Sequence, residues 1–598
     1  SWTFPISFSP HDSNTVYACG NHVFASRDEG MSWEALSPDL TRADDSKLDV
    51  SGGLTVDSSG AETYGTISTF AESSHQPGKF WAGTDDGLVH LSTDGGKHWE
   101  NVTPKDLPEW AYIYCIETST HDPDVLYLSA TRYKLDDYRP YLYKSVDGGR
   151  NWKNICGNYP ENEISRVIRE DPKNPGLLFV GAETGIFFSH NDGANWNRLG
   201  GNFPVVPVYD LKIKDDEMVV ATHGRSFWIL DDLNPIRESS RFKAEDDFHF
   251  FPPKSTFRRT LNWSTNVFMG DGKNYSPAFG IPGTSYVSED KNGEKQTRYL
   301  DLGENPPQGV IFHYVLNDPE NSKLELQILD SKGNLIDTFE TKQEDKVSGQ
   351  TENDDEEDQK PALTSSKGLN RFVWNMRYPG PAEKIDKTLE QKRYKALGRG
   401  EMGERGGPTA MPGTYQAVLR IENTKQEHHF EILKDPRLVT SEDDYQAQFD
   451  LWINIRDQLS ETNRLLNQLR RIRREIHVIL ERPNLQKSKV PDELSSFKDN
   501  AEKVIQKLEV LENELFQTKN ETPSDRLRFP VMLRDRIEGL ISVVAVAEAA
   551  PPQQAHEVFK HLKGLLAEKT SSMQQLLSVD LLTLKELAQK ANIQFFEE

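Results

Sequence analysis

Cysteine, basic charge and long apolar runs are all scarce in this 598-residue chain. Its three cysteines, Cys19, Cys115 and Cys156, are too few and too scattered for a disulfide framework or a thiolate metal cluster. Cys19 and Cys115 fall in predicted strands, where buried free thiols are expected, and neither a metal nor a cofactor is expected. The 70 Lys and Arg against 94 Asp and Glu leave a net charge of −24, which argues against a nucleic-acid partner for want of phosphate-neutralising groups. Without a run of 18 or more apolar residues, no transmembrane helix is expected. The opening Ser1-Trp2 also lacks a Met, a charged leader and an apolar signal segment, so an N-terminal portion is expected to lie elsewhere.

What is present is a repeat. Ser-x-Asp-x-Gly-x-x-Trp, or a close variant, starts at residues 26, 92, 145 and 189, giving Asp28 with Trp33, Asp94 with Trp99, Asp147 with Trp152, and Asn191 with Trp196. This is turn chemistry: the Asp or Asn oxygen takes nearby backbone N–H groups, Gly permits positive φ, and Trp opens the next strand. The copies resemble the Asp-box, or BNR repeat, of sialidase-type and sortilin-type β-propellers, with a structural role at blade edges. Their spacing approaches the period of about 40 to 50 residues seen in propeller blades.

A constant strand order surrounds the boxes. Inner strands are read at 5–8, 67–71, 113–117, 164–168 and 208–213, followed by second strands at 16–18, 80–82, 126–128, 178–180 and 218–220, with Pro- and Asp-rich turns between them. The count is five blades over residues 1–236, the fifth without a box. Five blades would leave two open sheet edges and an apolar seam, so the ring is expected to be incomplete, with missing N-terminal blades as a partner, carried on a separate chain or removed.

From 245 to 436 the boxes stop, and short alternating strands such as Val310 to Leu316, Leu324 to Leu329, Arg371 to Met376 and Tyr415 to Ile421 suggest an immunoglobulin-like β-sandwich. Disordered insertions are expected near 344–366, around the acidic run Glu352 to Asp358, and near 398–410. From 441 to 598 the period becomes helical. Ser441 caps a helix to about 481, and further helices are read at 492–518, 524–549, 553–576 and 578–591, broken at Pro491, Pro523, Pro551 and Pro552. A helical bundle follows, and the fold class is mainly β plus α.

Taken together, Phe8-Ser9-Pro10-His11-Asp12, Trp81 to His90, Thr131 to Tyr141, Ala221 to Asp232 and Val579 to Leu584 resemble a large family of exported bacterial proteins. Its members are described as BNR-repeat glycosyl hydrolase-like or sortilin N-terminal-domain-like. The resemblance implies an extracytoplasmic location and a chain similar to the C-terminal portion of longer relatives.

Chemistry is expected on the face where turns after the second strands emerge. Trp110, Tyr112, Arg132, Asp137, Arg139, His223 and Arg225 are the candidate ligand-binding residues, because aromatic faces stack on sugars and Arg pairs with carboxylates. A glycoside hydrolase would need two carboxylates flanking the bond, and Asp86 and Glu183 are the candidates, with Asp85, Glu109 and Asp137 behind them. Tyr159 is placed on the same face. The function expected is an extracytoplasmic interaction protein binding a protein or glycan partner within a larger assembly. The alternative is a BNR-type glycoside hydrolase.

Overall fold

The computed structural model describes residues 4–48, 54, 64–243, 246–259, 272–276, 283–289, 295–300, 303, 306–317, 323–341, 360–386, 407–482, 485, 491–520, 525 and 527–594. It divides into two compact units, Ser1–Lys243 and Ala244–Glu598. Among the described residues no helix is long and apolar enough to cross a membrane.

The first unit is a succession of small antiparallel sheets, each built from consecutive strands in chain order. Sheet 1 holds Ile6–Phe8, Val16–Cys19, Val23–Ser26 and Glu34–Ala35. Sheet 2 holds Ile67–Glu72, Phe80–Thr84, Val89–Ser92 and Glu100–Asn101. Sheet 3 holds Tyr112–Thr118, Leu126–Arg132, Asp137–Ser145 and Lys153–Asn154. Sheet 4 holds Ser165–Glu170, Leu178–Ala182, Ile186–Ser189 and Asn197–Arg198. Sheet 5 has three strands, Val208–Lys214, Glu217–Thr222 and Phe227–Leu230.

The sheets are propeller-blade-like. The first strands of sheets 2 to 5 contact one another in chain order, and the second strand of each of sheets 1 to 4 contacts the first strand of the next sheet. Such stacking covers both faces of the middle sheets, which is why Phe80–Thr84 and Leu178–Ala182 are buried at every position and read as apolar runs without alternation. Gly83 and Gly181 make the close approach possible. A Cβ on Gly181 would lie 2.6 Å from Val208 Cγ1, and one on Gly83 would lie 2.5 Å from Ile113 Cγ2.

Each box closes the turn between third and fourth strands. In the third copy Ser145 Oγ donates to Asp147 Oδ1 and accepts from Gly149 N, while Asp147 Oδ1 accepts from Asn151 N at 2.9 Å. The fourth copy repeats these bonds with the Asn191 carbonyl oxygen. The Trp then ties its sheet to the preceding one: Trp99, Trp152 and Trp196 donate from Nε1 to the carbonyls of Leu36, Val102 and Ile155.

In the second unit two sheets share one core, which joins Phe250, Phe312 and Trp374 to Leu326, Ala417 and Phe430. One sheet runs Phe248–Phe250, Val310–Leu316, Gly368–Trp374. The other runs Thr256–Arg258, Thr424–Lys434, Gly413–Ile421, Leu324–Leu329, Leu335–Glu340, with its first pair parallel. Of the insertions expected near 344–366 and 398–410, residues 344–359 and 398–406 lie outside the described residues. The remainder is placed, with bridges from Leu363 to Thr341 and from Thr409 to Arg377.

The helices follow, at Glu442–Leu480, Asp492–Leu515, Leu533–Val544, Gln553–Gln575 and Leu582–Lys590. Ser441 and Asp444 form a reciprocal capping box on the first. Two expectations are corrected. The helix expected from 524 starts only at Leu533, because Pro530 lacks the N–H and clashes with the preceding turn. The break expected at 577 is instead a π-helical stretch, Leu576–Leu581, since no Gly or Pro there stops the helix. A buried polar knot ties strand to helix: Arg258 Nη2 donates to Gln448 Oε1 at 2.8 Å, and its guanidinium lies 4.8 Å from the Tyr445 ring.

Candidate functional site

The turns after the second strands hold the candidate residues. In sheets 2, 4 and 5 the turn is pinned the same way: the N–H of Asp85, Glu183 or His223 donates to the carbonyl of Thr66, Ile164 or Pro207, just ahead of the same sheet's first strand. Asp85, Glu183 and His223 are therefore equivalent positions. Asp85 follows Gly83 by two residues, as Glu183 follows Gly181. Of the two expected catalytic carboxylates, Glu183 occupies this shared position and Asp86 lies one residue beyond it.

Asp86 is buried, and both its oxygens are engaged, Oδ1 by Thr84 Oγ1 at 2.5 Å and Oδ2 by Arg42 N at 2.7 Å. Arg42 closes the loop by donating from Nε to the Asp86 carbonyl. Asp85 Oδ1 accepts from Gly65 N and Thr66 N, and burial nevertheless holds its carboxyl above the usual carboxylate range.

Trp110, at a φ of +62°, stands over this corner. The Arg42 guanidinium is 5.1 Å and Lys47 Nζ 5.9 Å from its ring, and Tyr64 meets it edge-on. Tyr112 lies 5.8 Å from Tyr114 and carries Lys134 over its ring. Next along the chain, Arg132 Nε donates to the Glu109 carbonyl and Arg132 pairs with Asp137 at 3.5 Å. Asp137 is the centre of its own cluster, accepting from Arg139 Nε and Nη2 and from Tyr141 Oη; the Arg139 fork draws its carboxyl well below the usual range.

Glu183 is held by Arg166, whose Nε and Nη2 both donate to Oε2, at 3.1 and 2.5 Å. Burial works against the Arg166 charge, but this carboxylate outweighs it and raises the guanidinium's pKa. Tyr114, Tyr133 and Tyr209 surround Arg166 at 5.7, 5.4 and 4.5 Å, and His223 stacks on Tyr209 at 4.8 Å.

The structure thus gathers Arg132, Asp137 and Arg139 in one cluster, Trp110 and Tyr112 among cations, and Glu183 and His223 around Arg166 and Tyr209. Arg225 is exposed, and its Nη1 donates to the neighbouring Gly224 carbonyl. Tyr159 departs from expectation: it is buried in the core against Phe187 and Trp196, because its apolar ring fills space between sheets 3 and 4. Arg42, Tyr114, Arg166 and Tyr209 were missed by sequence reasoning.

No family model matches the chain. A stretch of 146 residues, 21% of this chain, is 24% identical to the xyloglucanase Xgh74A of Acetivibrio thermocellus and covers 17% of that protein. Among solved structures, the chain is similar to the GH74 xyloglucanase of Xanthomonas campestris, with 12% identity, 73% of this chain and 80% of that one covered, and a TM-score of 0.30. It is also similar to YCF48 from Cyanidioschyzon merolae, with 16% identity, 38% and 81% covered, and a TM-score of 0.24.

Proposed function

We propose that this chain is a recognition protein that acts outside the cytoplasm, and that its blade turns bind a protein or glycan partner without cleaving it. One observation carries the reading: Asp85, Asp86, Asp137 and Glu183 are each bonded through at least one carboxylate oxygen to donors of the protein itself. Asp86 has both oxygens bonded, Asp85 is held by two backbone N–H groups, Asp137 by Arg139 and Tyr141, and Glu183 by Arg166. A glycosidase needs one carboxyl free to give a proton and another free to attack or to activate water. Groups so engaged instead position rings and cations for recognition. The extracytoplasmic placement rests on the resemblance to exported bacterial proteins.

Further blades are proposed as one partner. Sheet 1 turns Ile6 and Phe8 outward at 64% and 69% exposure, and sheet 5 does the same with Phe227 and Ile229 at 73% and 58%. Sheets 2 to 4 cover the corresponding faces with a neighbour. Native mass spectrometry of material from its natural source should find box-bearing polypeptide in addition to this sequence.

The test of the recognition reading is incubation of the intact protein with a polysaccharide and sialoside panel, with product analysis and binding measured together. Binding without new reducing ends is expected. Turnover abolished by Asp86→Asn or Glu183→Gln would overturn the reading in favour of a glycoside hydrolase.

A further inference from the structure

The first strands of sheets 2 to 5 share an irregularity. In each, the pairing with the second strand slips at one point: between Ile67 and Thr69, between Ile113 and Cys115, between Ser165 and Ile168, and between Val208 and Asp210. A bulge takes a residue out of the ladder and re-aims its side chain. Its recurrence at one place in four repeats makes it a property of the blade, and the side chains displaced are Ser68, Tyr114, Arg166 with Val167, and Tyr209.

Because the first strands lie side by side in chain order, the bulges converge. Ser68 Oγ donates to the Ile113 carbonyl at 2.6 Å, and Tyr114 Oη donates to the Tyr209 carbonyl at 3.2 Å. Arg166 stands between the Tyr114 and Tyr209 rings and is buried, yet its partner Glu183 is 39% exposed. Glu183 Oε1 has no hydrogen bond among the described residues. Tyr209 is 39% exposed, and the exposed His223 stacks on it with 23° between the planes.

The charge balance selects the ligand. The guanidinium and the carboxylate cancel, so the pair attracts neither sign over distance. A cation would meet a carboxylate already neutralised, and an anion would meet an arginine whose Nε and Nη2 are spent on Glu183. What stays open is one carboxylate oxygen and stacked rings, which suits a neutral molecule with hydroxyls on its edge and C–H groups on its faces.

We propose that Tyr114, Arg166 and Tyr209, with Glu183 and His223, form a subsite for a neutral oligosaccharide. This rests on the recognition reading above and names its ligand class. The Arg166 donors hold Glu183 in place, so that Oε1 accepts from a sugar hydroxyl while the Tyr209 and His223 pair packs against the ring.

Saturation-transfer NMR and calorimetry on the intact chain test it, with gluco-, xylo-, manno- and galacto-hexaoses as probes. Sialyllactose, a chitosan hexamer and a tyrosine-rich hexapeptide serve as the anionic, cationic and peptide counterparts. A neutral hexaose is expected to bind at least about tenfold tighter than each counterpart. Tyr209→Ala, Glu183→Gln and Arg166→Lys are each expected to weaken it about tenfold, a loss of the size of a stacking or bidentate contact. Asp94→Asn, in a box turn, is expected to leave it unchanged. Circular dichroism melts certify that each variant is folded; where Arg166→Lys is not, Glu183→Gln and Tyr209→Ala decide. The subsite is overturned if no neutral hexaose binds, if a charged or peptide probe binds best, or if neutral binding survives the folded variants. Neutral binding that survives them leaves the recognition reading standing, whereas release of reducing ends overturns that reading instead.

Discussion

Trp33 and Trp99 occupy the same position in successive boxes, but only Trp99 reaches the sheet before its own. Trp99 Nε1 donates both to Leu36 O and to Gly96 O, while among the described residues Trp33 Nε1 donates only to Gly30 O, within its own turn, and Trp33 is 46% exposed. Trp152 and Trp196 behave as Trp99 does, so the tryptophan joins neighbouring sheets in addition to completing a turn. Trp196→Phe, which removes a buried bond to Ile155 O and part of a buried ring, is expected to cost about 1–3 kcal/mol. Trp33→Phe is expected to stay within about 0.5 kcal/mol, as for an exposed site. Urea denaturation of both variants checks the contrast, and equal losses would refute the joining role.

The boxes also predict an acid limit. His98 donates to Asp94 from its ring and its backbone N–H, drawing the carboxyl down to about 2, and Ser32 lowers Asp28 in the same way. A carboxylate with a depressed folded pKa stabilises the fold above its unfolded value of about 3.9, and that contribution is lost as pH falls through the folded value. Melting temperature is therefore expected to hold at neutral pH and to drop between about pH 4 and pH 2. Asn191 shows that an uncharged oxygen can close the same turn. Changing Asp28, Asp94 and Asp147 together to Asn is expected to leave a folded protein whose melting temperature falls less steeply below pH 4. An unchanged slope would show that the box carboxylates do not set the limit.

Much of this architecture was readable because the boxes fix the frame. Once Gly and Trp locate the turn before the fourth strand, the apolar runs upstream can only be the second and third strands. Thr424–Lys434 was not readable: its first half is Thr-Lys-Gln-Glu-His-His, and its burial begins mainly at Phe430 and Ile432. Which of the two neighbouring aspartates shares Glu183's backbone position was harder to see, although the glycine two positions earlier, Gly83 beside Gly181, carries the signal. Arg166 and Tyr209 stayed hidden for another reason. Their direction depends on a register slip, and nothing in Ile164 to Arg169 or Val208 to Ile213 marks where a strand will bulge.

Gly181 offers a direct test of the sheet stacking. A Cβ at this position would sit 2.6 Å from Val208 Cγ1 and 2.7 Å from Val167 Cγ1, inside their van der Waals contact. Gly181→Ala is expected to destabilise by about 1–3 kcal/mol through overpacking. Because Val208 belongs to the next sheet, Val208→Ala should relieve part of that strain. A double-mutant cycle is expected to return a favourable coupling of about 1 kcal/mol, and additive losses would mean the two sheets do not press together there.

In the helical region, Glu512 is buried between two arginines. Arg470 Nε donates to Oε1 at 2.6 Å, and Arg473 Nη1 donates to Oε2, with side-chain exposures of 4%, 3% and 10% for Glu512, Arg470 and Arg473. The Phe516 ring lies 5.0 Å from the Arg470 guanidinium and packs against it. Glu512→Gln removes the buried carboxylate that both guanidiniums share, and is expected to cost about 3–5 kcal/mol. Replacing all three residues with apolar ones, as Glu512→Leu, Arg470→Met and Arg473→Leu, removes the desolvation penalty along with the attraction. That triple variant is expected to unfold in urea at or above the wild-type midpoint, because a buried ion cluster contributes less net stability than well-packed hydrocarbon of similar volume. A triple variant as weak as Glu512→Gln would show that the cluster's own bonds are needed to hold the helices Glu442–Leu480 and Asp492–Leu515 together.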